Sequence, residues 1–120
     1  LTLSPDGETI YVSNENDNLV TLIDIKRKDQ IGDIPVGVEP EGMAISPDGK
    51  LLVNTSETTN MAHIIDTKTK TIIANILVDN RPRFATFKHD GSELWVSSEV
   101  GGTVSVIDPE KKTIKQKRKK

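Results

Sequence analysis

One short turn is written three times at one interval. It reads SPDGE at residues 4–8, SPDGK at 46–50 and KHDGS at 88–92, each copy 42 residues after the last. The register carries beyond the turn. Gly7, Gly49 and Gly91 align, as do Ile10, Leu52 and Leu94, then Tyr11, Val53 and Trp95. Glu15, Glu57 and Glu99 follow, then Ile23, Ile65 and Ile107, and Asp24, Asp66 and Asp108. A self-similar period of this length means a repeat architecture, in which one supersecondary unit is stacked on the next.

Each unit reads as four short strands; in the middle unit these are about 42–46, 51–56, 61–66 and 71–78. Pro47 presets φ for a turn, Asp48 can bond the nearby backbone and Gly49 supplies positive φ. The third copy replaces the proline with His89 but keeps Asp90 and Gly91. The third strands, NLVTLIDI, NMAHIIDT and GTVSVIDP, are apolar on both faces near their centres, as in sheets covered on both sides. Small four-stranded sheets fanned about an axis meet that description. The expected fold is therefore all-β: part of a β-propeller, with about three four-stranded antiparallel blades. The expected division is a partial blade over 1–36, a complete blade over 37–78, a third over 79–114 with its last strand incomplete, and a basic tail over 115–120. Trp95 is expected to pack between blades.

Composition excludes several classes. There is no cysteine, so neither disulfides nor thiolate chemistry enter. No apolar run approaches the length of a membrane span. Residues 1–110 carry nine Lys or Arg against eighteen Asp or Glu, whereas the last ten residues hold seven basic residues and no acid. An acidic body with a basic end does not suit a nucleic-acid-binding domain. Nucleophile elbow, HExxH, Walker loop and Gly-rich dinucleotide turn are all missing.

The motifs YVSN (11–14), SPDG and GGTVSVID (101–108) resemble the YVTN family of bacterial and archaeal propeller repeats, across residues 1–114. The stretches TSETTNMAHIIDT (55–67) and RPRFATFKHDGSELWVSSEVGGTVSVID (81–108) are most similar to periplasmic propellers associated with PQQ-dependent alcohol catabolism. The resemblance implies a parent protein with a signal peptide, a periplasmic location and a protein partner such as a quinoprotein dehydrogenase or cytochrome. More distantly, the repeats are similar to the haem-carrying propeller of nitrite reductase and to lactonase-type propellers.

Strand alternation puts the strand 2–3 and strand 4–1 connections on one rim, the expected binding face. Glu15, Glu57 and Glu99 would form an arc there, able to hold a divalent cation or cationic group. The competing reading is that Arg81 and Arg83 pair with those carboxylates. Those two arginines could also receive an anionic ligand. His63 stands where the other units have Thr21 and Ser105. It reads either as a hydrogen-bonded structural histidine or as a haem or metal ligand. The expected function is a non-enzymatic binding or scaffolding module without cofactor. The alternative is a redox or lactonase-like propeller enzyme with haem or a divalent metal.

Overall fold

The computed structural model of the chain describes residues 1–119. Twelve strands follow one another among these residues, and no helix interrupts them. The first sheet holds β1 (Thr2–Leu3), β2 (Thr9–Asn14), β3 (Leu19–Asp24) and β4 (Asp29–Pro35). The second holds β5 (Pro40–Ile45), β6 (Leu51–Ser56), β7 (Met61–Asp66) and β8 (Thr71–Leu77). The third holds β9 (Pro82–Phe87), β10 (Leu94–Ser98), β11 (Thr103–Asp108) and β12 (Thr113–Lys119). Every sheet is an antiparallel meander in chain order. The sheets are not joined edge to edge. The inner strands lie together, with β1 and β2 against β5 and β5 against β9, so the blades fan out from a common centre.

The recurring turn works through its aspartate. Asp48 Oδ1 accepts from Ser46 Oγ at 2.7 Å and from the Lys50 amide at 2.9 Å, while Gly49 sits at φ 75°. The first copy uses Ser4 in the same way, whereas in the third Lys88 takes the serine position and Ser92 donates the hydroxyl at 2.6 Å; Gly7 sits at 76° and Gly91 at 78°. The serine hydroxyls and adjacent amides hold the carboxyls of Asp6, Asp48 and Asp90 below the usual aspartate range. A second aspartate column closes the outer hairpins. Asp66 Oδ1, for example, accepts from the Lys68 and Thr69 amides at 2.8 and 3.1 Å, allowing Lys70 to adopt φ 59°.

Burial follows the blade junctions. At the first junction, between the first two blades, Tyr11, Val20, Leu22 and Ile34 meet Leu52 and Ile65. At the second, Val53, Ala62 and Ile64 meet Ala85, Leu94, Val96 and Ile107. The middle blade is covered on both flanks, so Ala62 to Ile65 are consecutively buried. In β3, covered on one flank, burial alternates instead. Cover on both flanks accommodates the two-sided apolar pattern of the middle blade.

One expectation changes. Residues 115–119 are not a tail: they continue β12, which pairs with β11 from Thr103 opposite Lys119 to Asp108 opposite Thr113. A blade's outermost strand needs backbone partners on one side only, and its side chains project into water, so lysines are compatible there and guard the open edge. Lys120 lies outside the described residues. Trp95 is 41% exposed although its column mates Tyr11 and Val53 are buried, because among the described residues no sheet covers that flank of the third blade.

Candidate functional site

The strand 2–3 turns and the links between blades meet at one end of the molecule and are stitched together there. Asn18 and Asn60 hold the turns at positive φ, and their side-chain oxygens accept from the amides of Glu39 and Arg81 at 3.2 and 3.0 Å. Each link then accepts from the next blade's turn: the Glu57 amide donates to Glu39 O, and the Glu99 amide to Arg81 O. The five loops (14–18, 37–42, 56–60, 79–84 and 98–102) carry seven carboxylates against two guanidiniums.

Arg81 and Arg83 neutralise the second junction. Arg81 bonds Glu57 through Nε. Arg83 Nη1 reaches Glu99 Oε2 at 2.9 Å, Nη2 reaches Glu41 Oε1 at 3.1 Å, and Nε lies 4.0 Å from Glu57 Oε2. The hydrogen bonds that Arg83 donates to Glu41 and Glu99 raise the guanidinium's proton affinity further. Glu57 and Glu99 are thus engaged by arginine, as the ion-pair reading expects, and do not stand as free members of a carboxylate arc.

Glu15 is different. Residues 39–41 read Glu-Pro-Glu where 81–83 read Arg-Pro-Arg, so the same rim position is acidic at the first junction and basic at the second. Glu15 therefore meets the Glu41 carboxyl instead of a guanidinium. A hydrogen bond to Glu41, and its charge, push the Glu15 carboxyl up, while that bond and Arg83 hold Glu41 down. Ser13, Asn14, Glu15, Pro40 and Glu41 line part of an open groove of about 690 Å³.

His63 is not at the rim cluster. It faces the first junction and is 6% exposed. Its Nδ1 is 2.6 Å from Asn75 Oδ1, and its Nε2 has no hydrogen-bond partner among the described residues. Gly37 packs so closely that an added Cβ would lie 2.4 Å from Nε2. Among the described residues no group of three or more His, Cys, Asp or Glu is placed to hold a metal ion.

Two functional-face residues escape single-column reading. Glu41 becomes visible only when EPE is aligned on RPR. Asp79, opposite Gly37 in the repeat, accepts from Thr103 Oγ1 at 2.9 Å and from the Asn80 amide at 2.8 Å, with Lys117 Nζ at 3.8 Å. The amide and hydroxyl bonds hold its carboxyl low.

The family model described as lactonase, seven-bladed β-propeller, matches residues 1–76. The chain belongs to that family. Among curated relatives it is 38% identical over 45 residues to hydrazine synthase subunit beta of Kuenenia stuttgartiensis, covering 38% of this chain and 12% of that protein. Among solved structures, hydrazine synthase of Kuenenia stuttgartiensis superposes with a TM-score of 0.93 at 27% identity, over 96% of this chain and 33% of that one. U3-55K superposes at 0.91 over 99% of this chain and 38% of that one, but at 16% identity it attests the fold alone. The chain spans a third of the hydrazine synthase chain and an eighth of the curated relative's length.

Proposed function

We propose that this propeller is a binding module whose strand 2–3 and 4–1 loop face receives a basic protein partner. The observation carrying this reading is the imbalance of that face. Its two guanidiniums are already committed to Glu57, Glu41 and Glu99, while Glu15 confronts another carboxylate. A surface of one sign steers and orients partners of the other. The finer form of the reading is that the protein belongs to the YVTN type and works in the periplasm. Its partner there is a quinoprotein dehydrogenase or cytochrome of an alcohol-oxidising system.

A photo-crosslinking residue at Asn16, on the acidic face, is expected to capture a basic partner in cells, with capture lost in E15K/E39K. The same probe at Lys68, on the opposite face, is expected to capture none. Adducts at Lys68 with none at Asn16 would move the binding face. Cell fractionation of the full-length protein tests the compartment, and cytoplasmic recovery would remove the periplasmic reading.

A second reading is that the propeller is part of an enzyme. It is favoured by the lactonase family match and by the likeness to a subunit of hydrazine synthase. Lactone hydrolysis by the full-length protein, or a Soret absorbance band and bound metal in it, would select this reading. An inert, colourless and metal-free preparation would favour the binding module.

A further inference from the structure

We infer that the two blade junctions are keyed to different, reciprocally sized side-chain sets, so that each blade fits only its own predecessor. The key uses three columns of the repeat. At the first junction they hold Gly37, Thr59 and His63; at the second they hold Asp79, Gly101 and Ser105.

The contacts explain the exchange. Gly37 is not at positive φ, so its requirement is space: a Cβ there would lie 2.4 Å from His63 Nε2 and 3.0 Å from Ser56 Oγ. At the second junction the imidazole is replaced by the small Ser105, which is fully buried, and the linker position carries Asp79 instead of glycine. The Asp79 carboxylate in turn occupies the space above Gly101. An added Cβ on Gly101 would lie 2.3 Å from Asp79 Cγ. Its counterpart Thr59 keeps a side chain because Gly37 leaves room, and its Oγ1 donates to Ser56 Oγ at 2.7 Å. Large faces small in both seams, with the sizes exchanged between strand and linker.

Blades with one backbone and one period can stack in the wrong order, a characteristic failure of repeat proteins. Wrong stacking here is penalised from both sides. The second blade set against the Asp79 linker would drive His63 and Thr59 into that side chain. The third blade set against the Gly37 linker would leave a void beside Ser105 and strip Asp79 of Thr103. Both overpacking and voids destabilise a closely packed interior, and a penalty on the wrong partner is what makes recognition selective.

Thermal unfolding of the chain carrying Gly37→Ala, His63→Ser or both tests the key. Gly37→Ala alone is expected to lower Tm by about 5 °C or more. In G37A/H63S much of that loss should return, leaving a value near that of His63→Ser alone. Where Gly37→Ala does not fold, recovery of folded protein in the double variant reports the same coupling. The reciprocal exchange provides a second measurement. Ser105→His should be poorly tolerated with Asp79 present and better tolerated in D79G/S105H. Shifts that simply add in both pairs would overturn the proposal.

Discussion

The two blade junctions share a backbone and differ in chemistry. Both bury an apolar centre built from the same columns, Leu52 and Ile65 in one, Leu94 and Ile107 in the other. Above that centre they part. The first junction carries Asn54, His63 and Asn75 on the middle blade and a Glu–Glu meeting at the rim. The second carries Val96, Ser105 and Lys117, with Arg81 and Arg83 neutralising its rim. A repeat therefore conserves what any blade must do, which is to bury its flank, and leaves the ends of its strands free to differ. The second junction is the more apolar and better neutralised. The first holds the larger buried polar groups, Asn54 and His63, and the unmatched acid.

The comparison is tested most forcefully at the shared centre. Leu52→Ala and Leu94→Ala remove fully buried leucines at the same column. Each is expected to cost about 2–5 kcal/mol in urea unfolding. If they differ widely, the junctions are not equivalent at their cores. The turns come next. Gly7→Ala and Gly49→Ala both force a Cβ into positive φ, at a cost of about 1–2 kcal/mol. Gly49→Ala should cost more, since its Cβ would also meet Pro5 of the preceding blade at 3.3 Å while Gly7 has open space. Equal losses would show that the turns do not stack from blade to blade.

Rim charge should have smaller effects. Arg83→Ala is expected to lower stability modestly, and the loss should shrink at high salt because the network is exposed. A loss insensitive to salt would mean that Arg83 acts through packing. The smallest effect concerns Glu15. Its folded carboxyl is raised, so its contribution is present at low pH and fades as pH rises through the folded value. Glu15→Gln is then expected to be slightly stabilising at neutral pH and indistinguishable from wild type well below the ordinary glutamate value of 4.5. A destabilising Glu15→Gln at neutral pH would contradict the repulsive contact.

Much of the blade was legible because its determinants are local. Asp48 and Gly49 act within one turn, and a period of 42 residues aligns every strand with its counterparts. The basic strand β12 was not legible as a strand, because lysines at 115 and 117 break the apolar pattern. Only the ladder to β11 and the pairs with Glu93 and Asp79 show how they are accommodated. At the rim, the Glu57–Arg81 and Glu99–Arg83 pairings were foreseeable from charge and loop order. The Glu15–Glu41 meeting was not, since two carboxylates carry no attraction from which an approach could be expected.

The sequence alone determined the repeat, its strands, its turns and the side of the molecule on which the loops gather, because each depends on residues close along the chain or on strict periodicity. Tertiary structure decided which charges cancel, why Gly37 and Gly101 are glycines, and where His63 points. Those outcomes depend on distances across a junction between blades, where residues 20 to 40 apart in sequence share a few ångströms, and no one-dimensional pattern encodes which of them meet.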